Sequence, residues 1–156
     1  MSTIREQIVA AATSALNTDR PAEVPEFVRT RLDSPGPEQL PVNTVYQASE
    51  TVAPMHDSKE GRSSRGPIVR RTLVLKIECI TKADGATEPD KAADPTIAWA
   101  TKTLAAAGRF NDLANNPADE TGTQFEYEQG ETSFCRATMT FHIEFQSKTD
   151  DAEQLT

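Results

Sequence analysis

The stretch IVRRTLVLKIECITK, residues 68–82, decides the fold class, because apolar and polar side chains alternate along it. Side chains on a β-strand point to opposite faces of the sheet with a period of two. The face predicted to be apolar carries Val69, Leu73, Leu75, Ile77 and Cys79. A strand with one apolar and one polar face is typical of an antiparallel sheet that is covered on one side only.

A second alternating stretch, SFCRATMTFHIEFQS, occupies residues 133–147. Its predicted apolar face carries Cys135, Ala137, Met139, Phe141, Ile143 and Phe145, and its predicted polar face carries Arg136, Thr138, Thr140, His142, Glu144 and Gln146. Between the two strands, residues 90–107 predict a helix, and Pro95 is expected near its first turn. The order strand, helix, strand predicts an α+β fold with a mainly antiparallel sheet, helices packed on one face, and long loops.

The remaining elements are predicted from shorter signals. Thr3 and Glu6 match a capping box, so a helix is expected to begin there and to end near Leu16. Weaker strands are expected at 26–32, 43–50 and 123–129, and loops are expected at 54–67, 83–96 and 109–122. We expect residues 1–148 to form a single domain and residues 149–156 to form a polar C-terminal tail.

The length and charge of the chain exclude some functions. A chain of 156 residues suits one domain with a moderate core. The net charge of -8 disfavours binding to nucleic-acid phosphates. No stretch approaches the roughly 20 apolar residues of a membrane span, so no membrane partner is expected. The two cysteines, Cys79 and Cys135, fall on apolar strand faces, which favours buried thiols in a reducing cytosol.

The charges are unevenly distributed along the chain. Basic residues dominate 55–82, where the candidates for an interface are Arg62, Arg65, Arg70 and Arg71. Acidic residues dominate 117–156. One interpretation is a molecule with a basic and an acidic end, which assembles with copies of itself into a ring or a stack. The other is a pair of solvated loops with opposite charge.

Catalytic and metal-binding patterns are scarce, and we expect a protein that is not an enzyme and has no cofactor. His56 lies in a predicted loop and His142 on a polar strand face, without cysteine or aspartate at metal-ligand spacing. The stretch GRSSRG, residues 61–66, holds basic and small residues, but it precedes a strand and lacks the phosphate-loop pattern. Glu126 and Glu128 share one face of a predicted strand, where acid–base or cation chemistry competes with a plain solvated face.

Five segments occur in a distinctive order: IREQIVAAATSAL (4–16), LPVNTVYQASE (40–50), RRTLVLKIECITKA (70–83), DPTIAWATKTL (94–104) and CRATMTFHIEFQSK (135–148). In this order they resemble the tail terminator proteins of long-tailed bacteriophages, the family that includes the minor tail protein U of lambda-like phages. The resemblance rests on order and spacing, with Trp99 at a position where the family can carry tryptophan. The segments at 54–67 and 109–131 are longer than the family pattern, and the tail beyond Lys148 is additional.

The resemblance implies a structural virion protein assembled in the host cytoplasm. Members of the family form a ring, commonly a hexamer, on the head-proximal end of the tail tube. The ring stops tube polymerisation and offers a surface to head-completion or connector proteins. Genomic DNA passes through its lumen without specific binding. We expect an acidic lumen to repel DNA phosphates, and the candidates to line it are Asp119, Glu120, Glu126, Glu128 and Glu131.

Two alternatives remain open at this point. Another head–tail connector, a neck protein or a tail tube subunit would share a small α+β design with long loops. A small α+β enzyme or ligand-binding domain would require a concave pocket with convergent polar groups, and the sequence supplies no candidate set for one.

Overall fold

The structure is a computed structural model that describes residues 3–30, 35–54, 62–63, 66–83, 87–129 and 132–148. The elements in these ranges are α1 (Ile4–Asn17), β1 (Phe27–Arg29), β2 (Val42–Pro54), β3 (Arg62–Ser63), β4 (Gly66–Lys82), α2 (Pro89–Ala106), β5 (Asp119–Glu128) and β6 (Phe134–Lys148), with a short 3₁₀ turn at Pro37–Gln39.

The strands form one sheet in the order β1-β2-β4-β6-β5, and β3 pairs with the start of β4. The pair β1 and β2 is parallel, and the other pairs are antiparallel. The long central strand β4 pairs with β2 from Val69 to Ile80 and with β6 from Ile68 to Lys82. The prediction of a mainly antiparallel α+β fold is therefore confirmed.

Both helices cover the same face of the sheet, because most of the apolar side chains of β4 and β6 point that way. On β4, Leu73, Leu75 and Ile77 are fully buried, whereas the intervening Val74 and Lys76 are half-buried on the other face. The register places the predicted apolar faces of the two strands opposite each other, since Leu75 pairs with Phe141 and Ile77 with Met139. The two predicted faces are thus confirmed, and the uncovered one is called the open face below.

A small apolar cluster on the open face was not predicted from the sequence. Leu40, Val42 and Ile80 pack together there, with Phe134 half-buried against them. The sequence did contain one sign of this cluster, because Ile80 is an apolar residue at a position that the alternation assigns to the polar face.

The first helix forms as its sequence predicts. The side chain of Thr3 accepts a hydrogen bond from the backbone N–H of Glu6 at 3.1 Å, which caps the first turn. The apolar stripe at helical spacing is buried against the sheet and consists of Ile4, Ile8, Val9, Ala12 and Leu16. At the C-terminal end, the side chain of Asn17 binds the backbone N–H and C=O of Phe27 at 2.8 and 2.9 Å, which fixes β1 beside the helix.

The second helix begins earlier than predicted. Its range, Pro89–Ala106, agrees with residues 90–107, but the expected start near Pro95 is wrong. Pro89 occupies the first turn, where a missing N–H removes no hydrogen bond. Pro95 lies inside the helix and is exposed. It has no backbone N–H to donate to the preceding turn, and water can reach the carbonyl that lacks this hydrogen bond. The two helices are joined where the indole Nε1 of Trp99 donates to the carbonyl of Leu16 at 2.8 Å.

Three predicted strands have a boundary that differs from the structure by more than two residues. β2 extends to Pro54 rather than residue 50, and β1 is limited to three residues. β5 begins at Asp119 rather than 123, within the predicted loop 109–122. The residues DETG at 119–122 have low β propensity, and their extension depends on pairing with β6. The register shifts at this point, and Gly122 adopts a φ of 155° that favours glycine. Most of the predicted loop 54–67 lies outside the described residues.

Candidate functional site

One margin of the sheet is formed by β5, which pairs with β6. Every residue of this ten-residue strand is exposed except Thr123, which is half-buried. An edge strand presents a row of unpaired backbone N–H and C=O groups, which other chains can use for pairing. β5 is therefore the first candidate surface for assembly.

The two faces of β5 differ in chemistry. Phe125 pairs with Ala137 and Tyr127 with Cys135, so both aromatic side chains lie on the helix-covered face. They nevertheless remain 40% and 59% exposed, because α2 packs over β4 and β6 rather than over this margin. Two aromatic side chains thus lie at the border of the covered face without full burial.

The acidic residues proposed for a lumen divide between the two faces of β5. Asp119, Glu126 and Glu128 lie on the open face, opposite His142, Arg136 and Phe134 in that order. Glu120 pairs with Phe141 and accepts a hydrogen bond from the hydroxyl of Thr101 on α2 at 3.2 Å, so it lies on the helix-covered face. Glu131 lies outside the described residues. Three of the five residues share a face.

The open face carries charges of both signs, although its β5 margin is acidic. The guanidinium of Arg136 lies 3.6 Å from Glu78 and 3.8 Å from Glu126, so it bridges two strands. These side chains are largely solvated, and each contact contributes less than about 1 kcal/mol. Excess negative charge remains at Asp119 and Glu128, for which no ion pair is found within the described ranges.

The four arginines proposed for an interface also separate. Arg70 lies on the open face, with its side chain 45% exposed and its Nε 3.9 Å from Glu144. Arg71 lies on the covered face, and its side chain is only 16% exposed. Its guanidinium binds Glu50 at 3.1 Å and donates to the hydroxyl of Ser147 at 2.7 Å, while Arg5 of α1 also binds Glu50. Arg71 is therefore part of the internal structure.

The other two arginines precede β4 in the sequence. Arg62 belongs to β3, and Arg65 lies outside the described residues.

A second margin is formed by the later part of β2, which sequence reasoning missed. β1 pairs with residues Asn43–Val45 of β2. Beyond them, within the described residues, no strand covers the outer side of Tyr46–Pro54. Val52 lies in this segment, opposite Arg71 on the helix-covered face, and is 53% exposed.

The three exposed large hydrophobic residues of the described chain are Val52, Phe125 and Tyr127. All three lie on the margins of the sheet and on its helix-covered face. An apolar side chain that stays in water at a strand edge marks a surface that another chain can bury. The sequence signals were the alternating aromatics of β5 and a valine after the predicted end of β2.

The described residues do not assemble a metal centre, since no group of three His, Cys, Asp or Glu side chains there could hold an ion. His142 is exposed on the open face, as predicted. A shallow cavity of about 540 Å³ lies between α1 and α2, and Trp99, Lys102 and Asp19 contribute to its lining. In the described part of the chain, no helix has the length and apolar character needed to cross a membrane.

Both cysteines are buried free thiols, as predicted. Burial raises the pKa of Cys79 to about 12, an effect that its hydrogen bond with Thr96 partly opposes. Burial also raises the pKa of the Cys135 thiol. Since the thiolate is the reactive form, both groups are expected to be inert in the folded chain at neutral pH.

Thiol labelling tests this prediction. In native chain at pH 8, a maleimide is expected to label Cys79 and Cys135 at least about 100-fold more slowly than in urea-unfolded chain. The free energy of unfolding should also fall as the pH rises. Because the pKa of Cys79 is raised in the folded state, the unfolded state loses the thiol proton at a lower pH. This loss of stability should begin above the ordinary pKa of 9.0 and end near 12. Rapid native labelling would contradict the assigned burial.

Comparison with known proteins does not assign a family. No protein-family model matches the sequence. A search of the curated proteins found no match. Among solved structures, a chain from "Virion of native gene transfer agent (GTA) particle" aligns with 91% of this chain and 92% of its own length, at 16% identity and a TM-score of 0.31. A TM-score this low carries no argument about function.

Proposed function

We propose that this chain is a structural assembly protein of a virion, and that it acts as a tail terminator. In this role, copies form a ring on the head-proximal end of the tail tube. The ring stops tube polymerisation and presents a surface to head-completion or connector proteins. The proposal combines the order of sequence segments described above with the chemistry of the sheet margins.

The observation that carries an assembly role is the concentration of exposed apolar side chains at the two sheet margins. Val52 lies at one margin, and Phe125 and Tyr127 at the other. A sheet with a free strand segment at each margin can join to further subunits at both, which is a requirement for a ring built from head-to-tail contacts.

The lumen of the proposed ring is assigned to the open face near β5. Asp119, Glu126 and Glu128 share that face, and their carboxylates would repel DNA phosphates at short range. Glu120 points to the other face and contributes to a lumen only if the ring is oriented differently. Glu131 remains a candidate from the sequence. Arg70, which is exposed on the open face, remains the arginine best placed to meet a subunit or the tube.

Electron microscopy of particles produced without this chain tests the proposed role. If the chain terminates tubes, its absence should give tubes several times the normal length, because polymerisation then lacks a stop. Resupplying the wild-type chain should restore the normal length, and resupplying a chain truncated after Gly108 should not. Tubes of normal length that fail to join heads would contradict termination and indicate a neck or connector role instead.

A further inference from the structure

We propose that neighbouring copies join edge to edge, with β5 of one copy pairing antiparallel with residues Tyr46–Pro54 of β2 in the next copy. The sheet then continues from subunit to subunit. This inference rests on the proposed ring, and it names the two surfaces that meet in each contact between copies.

The first argument is that both margins lack three of the features that protect a strand edge, although each carries one register shift, before Ser49 in β2 and before Gly122 in β5. Edge strands are commonly blunted by lysine, by proline within the strand, or by short length. The sequence of β5, DETGTQFEYE, contains no lysine, arginine or proline. The free segment of β2 contains no lysine or arginine either, and its one proline is the terminal Pro54. The two free lengths are also similar, at ten residues for β5 and residues 46–54 for β2.

The second argument concerns the face on which the exposed apolar side chains lie. Val52, Phe125 and Tyr127 all lie on the helix-covered face. Two copies can join side by side with their helices on the same side of the sheet. The β5 margin of one copy then lies against the β2 margin of the next. The apolar side chains at both margins then lose contact with water.

The third argument is the direction of the strands. Between β2 and β5 the sheet passes through three successive antiparallel pairings, so the two marginal strands run in opposite directions. If neighbouring copies are related by a rotation about an axis parallel to the strands, each strand keeps its direction from copy to copy. β2 of the next copy then runs antiparallel to β5 of the first, and an antiparallel ladder is slightly more stable than a parallel one. The same rotation also keeps every helix layer on the same side of the sheet.

Charge argues against the simplest alternative, in which β5 pairs with β5 of a second copy. In an antiparallel self-pairing about the centre of the strand, Glu128 lies opposite Asp119 at both ends, and like charges placed opposite one another destabilise a sheet. At the β2 margin, the one carboxylate, Glu50, is already bound by Arg5 and Arg71. Arg70 lies one strand inward, opposite Ala53, and can approach an acidic neighbour.

Lysine substitutions at each margin test the proposal. Phe125→Lys with Tyr127→Lys blocks the β5 margin, and Thr51→Lys with Val52→Lys blocks the β2 margin. Each variant alone is expected to remain near the chain mass of 17.0 kDa in light scattering, at concentrations where the wild-type chain assembles. The matched control, Ala98→Lys with Ala105→Lys, adds the same charge on exposed positions of α2 and should assemble like the wild type.

Mixing the two blocked variants distinguishes the proposed contact from self-pairing. Each variant keeps one intact margin, so the mixture should form a 1:1 dimer of twice the 17.0 kDa chain mass and grow no further. If β5 pairs with itself, the β2 variant should assemble normally and the mixture should give no dimer of this kind. That result would overturn the proposal.

Further controls keep the test decisive. Circular dichroism and melting temperature should show that both variants are folded, as expected for side chains already 40% to 59% exposed. The milder change of Phe125→Thr with Tyr127→Thr keeps β propensity and should weaken assembly at least about tenfold. A wild-type chain that remains monomeric at every concentration, or a β5 variant that still forms rings, would overturn the edge pairing. Tail length is a separate measurement, so either outcome leaves the terminator role to be judged by microscopy.

Discussion

An Arg71→Glu variant is expected to lose about 3 kcal/mol of unfolding free energy, while an Arg70→Glu variant is expected to lose less than about 1 kcal/mol. The two side chains are neighbours in sequence, but the sheet places them on opposite faces. Glutamate at 71 would face Glu50 at close range and leave Arg5 as the only guanidinium bound to it. Glutamate at 70 would lose an exposed contact of 3.9 Å to Glu144.

Urea denaturation followed by circular dichroism measures this difference. The conservative variant Arg71→Lys serves as a control, since it keeps the charge but loses the fork that reaches both Glu50 and Ser147. Its stability should lie between those of the wild type and Arg71→Glu. Equal losses for the two glutamate variants would contradict the assigned burial of Arg71. The practical consequence is that Arg70, and not Arg71, is the suitable position for testing a charged interface.

A Phe141→Ala variant is expected to lose about 3–5 kcal/mol, because it opens a cavity in the main core. Phe141 is 2% exposed and lies on β6 opposite Leu75 of β4, in the cluster that joins both helices to the sheet. A loss of this size is a large part of the 5–15 kcal/mol that stabilises a typical domain. We therefore expect a fall in melting temperature of roughly 10 °C or more for a domain of this size.

The matched control is the adjacent residue on the same strand. His142 is exposed on the open face, so His142→Ala should change stability by no more than about 0.5 kcal/mol. Thermal and urea unfolding of both variants give the comparison. Similar losses at 141 and 142 would mean that the two faces of β6 are not distinguished by burial, contrary to the structure.

Much of the architecture could be predicted from the sequence because its strongest signals are local. The period of two along β4 and β6 assigned the buried face of both strands correctly. The cap at Thr3 and the apolar stripe placed α1 within a residue of its true ends. Boundaries failed where local preference and tertiary pairing disagree. The residues at 119–122 have poor strand propensity, and pairing with β6 extends them.

The candidate site was predictable only in part. Alternation correctly placed Glu126 and Glu128 on one face of a strand. It also contained an unused signal for Arg71, which occupies the same face as Val69 and Leu73 and so requires an internal partner. The separation of Glu120 from the other carboxylates followed from the register shift before Gly122. Gly122 is the one local signal, because a glycine in a strand often marks a bulge, but it does not fix the pairing register.

The sequence by itself determined the class of the fold and the faces of its two long strands, because the spacing of apolar residues depends only on backbone geometry. Only the tertiary structure decided which strands lie at the margins of the sheet. Strand order is set by packing between segments far apart in the chain, such as Val42–Pro54 and Gly66–Lys82. That order leaves Val52, Phe125 and Tyr127 exposed at opposite margins. The surfaces proposed for assembly are therefore a property of the folded sheet rather than of any one segment.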